Sequence, residues 1–267
     1  MRLWEQGLVA TYSLPGYKEL ILEHYDAFRR PDTVIAIHGV KDEASAASAK
    51  VAGRAVNYAY LHRLHDNQVL KNVLRAEREG FDAVMIGVLQ DPGLREARSI
   101  VDIPVIGYGE VSMLTACMLG ERFSFLCINP QMGPLVQQMI RDRGLEARAA
   151  STTYLECGYD DLHAAVQGKP QRFLAAFEAA ARKAVNDHGA DVLLPGQTIM
   201  AELLWKSGVT RFDDAVVLDP RLPMLRMAEM LVDLRKAGIA TARRGFYGAR
   251  PPAELSAAMA EFYGGQA

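Results

Sequence analysis

The segment Gly80-Phe81-Asp82-Ala83-Val84-Met85-Ile86-Gly87 (80–87) decides how this chain reads. A glycine closes a charged helical stretch. An acid follows two residues on, and an apolar run then ends on a second glycine. The same G-x-D-x-x-x-x-G form returns at 189–196 as Gly189-Ala190-Asp191-Val192-Leu193-Leu194-Pro195-Gly196. Short continuous apolar runs suit strands buried on both faces. Further runs of this kind are TVIAI (33–37), PVIG (104–107), FSFLCI (123–128) and AVVL (215–218), and LVATY (8–12) reads as the end of a first strand. Amphipathic stretches separate them. PGYKELILEHYDAF, GPLVQQMIRDRG and QRFLAAFEAAARKAVNDHG all carry helical spacing, the last two stopped by Gly144 and Gly189. Alternation of strand and helix predicts an α/β protein with parallel sheets covered on both faces.

The two G-x-D segments sit in matching surroundings. Each follows a charged helix, and each leads to a helix and then a further strand, VDIPVIG (101–107) or DDAVVLD (213–219). The chain therefore reads as two pseudo-symmetric α/β halves. Residues 1–107 plus 220–267 make the first and 108–219 the second. Val88 and Gln197 become counterparts, each one residue past a strand-ending glycine, on turns that would face each other across one cleft.

Bulk composition removes several function classes. The chain has 267 residues, half of them hydrophobic, and a formal net charge of −2. No general basic field draws it to nucleic acid or to an anionic membrane. No apolar run approaches the roughly 20 residues of a membrane helix. The first dozen residues lack the three regions of a signal peptide. Three unpatterned cysteines, Cys117, Cys127 and Cys157, read as free thiols, and a cytoplasmic location is expected. GVLQDPG contains neither G-x-G-x-x-G nor a Walker lysine, and there is no G-x-S-x-G elbow. No nucleotide cofactor is expected.

GFDAVMIGVLQDPGLREARSIVDIPVIGYGEVSMLTACMLGERFSFLCINP (80–130) resembles the aspartate/glutamate racemase superfamily, nearest its hydantoin-racemase branch. HGADVLLPGQTIMAELL (188–204) and VLDP (217–220) are similar more weakly. The resemblance implies two Rossmann-like halves with a cofactor-free site in the cleft between them. It implies an isomerase or racemase acting on a small carboxylate or cyclic amide by proton transfer next to a carbonyl. The superfamily also holds a maleate isomerase and an arylmalonate decarboxylase. In its racemases a cysteine follows each strand-ending glycine, and the two thiols work on opposite faces of one carbon. Those positions are Val88 and Gln197 here. Neither side chain carries a proton at physiological pH, so the two-thiol mechanism is not expected. A lyase or hydrolase on the same scaffold, or a protein that only binds a small molecule, stands beside the racemase reading. A homo-oligomer is expected.

Other residues then become candidates. His38 ends the strand VIAIH and is a candidate acid/base group. Glu110 opens the helix after GYG and is a second, and Gln197 is a catalytic candidate for oxyanion stabilisation. Gln6, His62, Val88, Gln90, Asp91, Tyr108 and Thr198 are candidates for lining the substrate pocket. Asp91 with Pro92 also reads as the N-cap and first residue of the next helix. His62 and His65 share a helical face, but nothing completes a ligand set around them, so no metal is expected.

Overall fold

Asp82 and Asp191 do the same work in two places. The Asp82 carboxylate accepts the main-chain N–H of Arg2 at 2.7 Å. Asp191 accepts those of Arg122 at 2.9 Å and Glu121 at 3.0 Å. The guanidinium of Arg2 then donates to the Glu79 carbonyl at 2.9 Å, and that of Arg122 to the His188 carbonyl at 3.1 Å. Gly80 and Gly189 both have left-handed backbones, with φ of 76° and 64°. This is the conformation that ends a helix at little cost only for glycine. The repeated motif thus records one device: a helix stop and an acid that clamps the start of the neighbouring strand.

The computed structural model describes residues 1–7, 14–41 and 57–263. Its first sheet holds β1 (Arg2–Gln6), β2 (Val34–His38), β3 (Ala83–Ile86) and β4 (Val105–Gly107), in the order β2-β1-β3-β4. All three pairings are parallel. The second sheet holds β5 (Phe123–Cys127), β6 (Ala149–Tyr154), β7 (Val192–Pro195), β8 (Arg211–Phe212) and β9 (Ala215–Val217), in the order β6-β5-β7-β9-β8. Four strands of each sheet thus share one order, and the halves are Rossmann-like. The two-residue β8 runs antiparallel to β9 at the edge, which corrects the expectation of purely parallel sheets. Neither β6 nor β8 stands out as an apolar run. β6 is AASTTY and mostly half-buried, and β8 is too short to show a pattern. The LVATY segment lies outside the described residues.

The helices are α1 (Tyr17–Asp26), α2 (Ala59–Arg78), α3 (Leu94–Ile100), α4 (Tyr108–Leu119), α5 (Gly133–Asp142), α6 (Tyr159–Val166), α7 (Gln171–Asn186), α8 (Thr198–Lys206), α9 (Arg221–Lys236), α10 (Gly245–Gly248) and α11 (Ala253–Phe262). Strand alternation sorts the cores. On β3, Ala83 and Met85 join a central core with Phe123 and Phe125 of β5, Val111 and Met113 of α4, and Leu225 of α9. Val84 and Ile86 face the other way, into a cluster with Trp4 and with Val69 and Val73 of α2. The central core therefore joins both sheets, with α4 between them. The returning helix α9 packs against β3 and β4 of the first sheet and against α4.

Candidate active site

In open α/β sheets, ligands sit beyond the carboxyl ends of the strands. The glycine at each tip has a local cause. A Cβ on Gly87 would collide with the Glu5 carboxylate and come within 3.1 Å of the Arg221 guanidinium. A Cβ on Gly196 would collide with the Cys127 thiol and lie 2.8 Å from the Leu126 carbonyl oxygen. Both glycines continue the parallel ladder, Gly87 N–H to Gln6 O at 2.9 Å and Gly196 N–H to Leu126 O at 2.7 Å.

After Gly87 the chain turns sharply through Val88, Leu89 and Gln90. Val88 is buried in the apolar cluster of the first half, which also takes in Met132 of the second. Gln90 is half-buried in the turn. Asp91 adopts φ of 48°, rare for a residue with a side chain. Its carboxylate accepts the N–H groups of Gly109 at 2.8 Å and Glu110 at 2.7 Å and pairs with Arg143 at 2.7 Å. Asp91 therefore caps α4, not its own helix, and α3 begins only at Leu94 after Gly93. This corrects the expected cap, and the reason is spatial: the free N–H groups at the start of α4 lie beside the β3 turn. The same carboxylate leaves no room beside it, since a Cβ on Gly107 would lie 2.6 Å from its Cγ. Burial pushes the Asp91 carboxyl up to about 7, against Arg143 and the two N–H groups.

That clamp fixes Tyr108. Its ring is fully buried, and its hydroxyl donates to the Pro195 carbonyl at 3.2 Å, so the tip of β4 is tied to the tip of β7. Glu110 follows, its carboxylate held by Arg98 at 2.5 and 3.2 Å. Burial works to raise the Glu110 carboxyl, but the Arg98 hydrogen bond and the charges of Arg98, Arg143 and Arg95 outweigh it and hold it low.

In the second half Gln197 caps α8 by position, and its side-chain oxygen accepts the Ile128 N–H at 3.1 Å. Thr198 lies 3.4 Å from the Tyr17 hydroxyl, which also donates to Glu202 at 3.4 Å. Cys127 is buried against Gly196, and burial pushes its thiol up to about 12. All three cysteines are free thiols.

The strongest polar feature of the interface went unread in the sequence. Arg221 is buried between Glu5 of β1 and Glu202 of α8, paired to both, and donates to the Tyr25 hydroxyl at 3.0 Å. Tyr25 in turn donates to Glu5. Burial pushes the Glu202 carboxyl up, against the Arg221 charge. The guanidinium thus lies beside the β3 tip, 3.1 Å from where a Cβ on Gly87 would stand, and pairs with the helix that follows the β7 tip. The two acids did leave a signal: Glu5 and Glu202 are lone acids in the apolar runs LWEQ and IMAELLW.

The remaining candidates are spread along the first half. The Gln6 side chain is turned inward, accepting the Trp4 indole N–H at 3.0 Å and donating to Gly7 O at 2.8 Å. The His38 ring lies flat on Trp4, centroids 3.4 Å apart, on the face covered by α2. His62, in the first turns of α2, places Nδ1 3.2 Å from Asp66 Oδ1. Tyr108, Val88, Asp91, Gln197 and Thr198 thus gather where the halves meet, while the rings of His38 and Trp4 stack within the first half. Among the described residues, no group of three or more His, Cys, Asp or Glu is placed to hold a metal ion, and no helix is long and apolar enough to cross a membrane.

Two sheets that share one order over four strands, tied tip to tip by buried polar groups, define a two-half Rossmann-like protein, with the candidate site at the junction. The Asp/Glu/hydantoin racemase family model matches residues 17–220, and the chain belongs to that family. It is similar to the hydantoin racemase of Pseudomonas sp. (strain NS671), 27% identical over 77% of this chain and 85% of that one. The hydantoin racemase of Rhizobium meliloti is 25% identical over 84% of this chain and 81% of its own length. Among solved structures, the allantoin racemase from Klebsiella pneumoniae superposes with a TM-score of 0.74 at 20% identity, over 94% of both chains. The chain is a racemase-family enzyme of the hydantoin-racemase-like branch.

Proposed function

We propose that this enzyme moves a proton at the carbon next to a carbonyl of a small carboxylate or cyclic amide, without a cofactor and without a pair of thiols at the strand tips. The observation that carries the reading is the bridge at the junction. Tyr108 joins the tips of β4 and β7, and Arg221 joins Gly87 to α8. The two tips that would flank a substrate are therefore neighbours, while their next residues are a buried valine and an amide already bonded to Ile128. Removing a proton sends the C–H electron pair to the carbonyl oxygen. Returning a proton to the opposite face inverts the carbon, which needs groups on two sides. Relatives that racemise hydantoin and allantoin favour a cyclic amide.

The test is a panel of hydantoins, amino acids and 2-substituted malonates in D₂O, followed by proton NMR. Loss of the Cα–H signal from at least one class is the expected result. An intact signal across the panel, at enzyme concentrations matching the substrate, removes the reading. Val88 gives a second reading some support. With an apolar residue at that tip, a reaction needing one delivered proton, loss of CO₂ from a malonate, suits the site. The same panel separates the two, because decarboxylation consumes the malonate and leaves the hydantoins untouched.

A further inference from the structure

We propose that His62, aligned by Asp66, is the acid/base residue of the first half. This rests on the proton-transfer reading above and names the group that performs it.

The pair occupies one face of α2, four residues apart, with the His62 and Asp66 side chains 13% and 12% exposed. Asp66 Oδ1 lies 3.2 Å from His62 Nδ1, and Arg63 Nη1 lies 3.3 Å from Asp66 Oδ2. The contact is an approach of charge and not a formed hydrogen bond, since Asp66 Oδ1 has no hydrogen-bond partner among the described residues; a carboxylate this close still favours the tautomer with its hydrogen on Nδ1, which leaves the lone pair on Nε2. Nε2 is buried and, among the described residues, has no hydrogen-bond partner. Buried polar atoms are nearly always satisfied, so Nε2 calls for a partner, and the proposal assigns that place to a substrate atom.

The position supports the role. The main-chain oxygen of Asp66 lies 3.7 Å from where a Cβ on Gly93 would stand, so the first turns of α2 rest on the chain leaving the β3 tip. Asn57, two residues before α2, is hydrogen-bonded to Asn129, just past the β5 tip. The start of α2, which carries His62, therefore lies beside the chain leaving β3, and the residues before it reach the end of β5. His24 also pairs with an acid, Asp219 at 2.7 Å, but its ring is stacked on Trp205 and only 1% exposed.

The step balances without another reagent. The Nε2 lone pair takes the proton from the carbon next to the carbonyl, and the C–H pair becomes the enolate. The same proton, or a deuteron exchanged from solvent, returns from the imidazolium to that carbon. His62 alone gives solvent exchange on one face, and inversion adds a donor from the side of the second half.

The experiment compares the intact enzyme with His62→Gln and Asp66→Asn on whichever panel compound exchanges. His62→Gln lowers kcat for Cα–H exchange by about 10²-fold or more, with KM held within a few-fold, and added imidazole restores part of the rate. Asp66→Asn, which misaligns the ring, lowers kcat by roughly tenfold at unchanged KM, and Asp66→Glu recovers some of it. If His62→Gln fails to fold, diethyl pyrocarbonate on the wild-type chain decides instead. Loss of exchange should track carbethoxylation at His62, located by peptide mass, and substrate should protect it. Wild-type exchange that persists in His62→Gln, or that survives full modification of His62, overturns this assignment and leaves the proton-transfer reading standing. Absence of exchange in the wild type removes both.

Discussion

Arg2 and Arg122 hold the same station in the two halves, and Gly87 and Gly196 hold another, yet only the first pair kept its surroundings. At the start of the strands each arginine gives its N–H to the acid of the repeat and its guanidinium to the end of the preceding helix. At the strand tips the glycines share only a backbone role. Gly87 faces a buried ion pair, Glu5 with Arg221, whereas Gly196 faces a thiol and a main-chain oxygen. The lesson is a division of labour. The base of each sheet is conserved between halves because it builds the fold. The tips diverge, as the proposed site there would require, and the same absence of a Cβ serves an ionic neighbour in one half and a sulfur neighbour in the other.

Removing the ionic neighbour should have the largest effect. Glu5 and Glu202 are 1% and 0% exposed, and Arg221 is the cation between them. Arg221→Ala leaves two buried carboxylates without a counter-charge, and loss of one partner of such a group costs about 3–5 kcal/mol. Urea unfolding measures it. The comparison sharpens in the triple variant Glu5→Leu, Arg221→Met, Glu202→Leu. An apolar replacement of the whole group should recover most of that loss, because desolvation offsets much of what a buried ion pair contributes. A single variant that unfolds at the wild-type urea concentration would show that the ionic tip is not what holds the first half to the second.

The same contrast explains what the sequence reveals. The fold is legible because its cause is local and repeated. G-x-D-x-x-x-x-G states a helix stop, a clamp and a strand in eight positions, twice. β6 is hidden because a strand of alanine, serine and threonine has no apolar run to show. The candidate site is legible in part. Tyr108, Asp91, Gln197 and Thr198 could be named because they flank the repeat. Their partners could not, since Asp91 reaches forward 18 and 19 residues to the N–H groups of another helix. Arg221 and Glu5 lie 216 residues apart, a pairing that no local pattern encodes. Glu5 and Glu202, lone acids in apolar runs, were the trace that the group left.

A methyl group at each tip tests the comparison more gently. Gly196→Ala meets backbone, with the Leu126 oxygen at 2.8 Å and the Cys127 Cα at 3.1 Å, besides the thiol. Gly87→Ala meets the far ends of two side chains. Backbone yields less, so Gly196→Ala should be the more destabilising, by about 2–3 kcal/mol against about 1–2 for Gly87→Ala, within the range for overpacked cores. Adding Cys127→Ala to Gly196→Ala should be less damaging than the sum of the two single changes, by roughly 0.5 kcal/mol or more, because the missing sulfur makes room. Strict additivity in that cycle, or equal costs at the two glycines, would break the asymmetry.

The last contrast lies between two acids at the start of α4, Asp91 capping it from the β3 turn and Glu110 within its first turn, and their signs are opposite. Burial raises Asp91 from 3.8 to about 7, so below that pH the neutral form is favoured in the folded chain. A raised carboxyl contributes its stability fully below its unfolded value and loses it as the pH climbs through the folded one. The unfolding free energy should therefore fall between about pH 4 and pH 7 through this group. In Asp91→Asn that fall disappears, while the lost cap costs about 1 kcal/mol. The gap between wild type and variant should thus be widest near pH 4 and narrow toward pH 8. Glu110 runs the other way. Its carboxyl is held low because the arginines outweigh burial, so its contribution is present above the usual 4.5 and fades as the pH falls through the lowered value. Glu110→Gln should cost no more than about 1 kcal/mol at pH 7, for a pair that is still partly in water, and less in high salt. Urea midpoints for both variants across pH 3 to 8 give the two slopes. Parallel curves would mean that Asp91 stays ionised under α4, and that its carboxylate is governed by its donors and not by its burial.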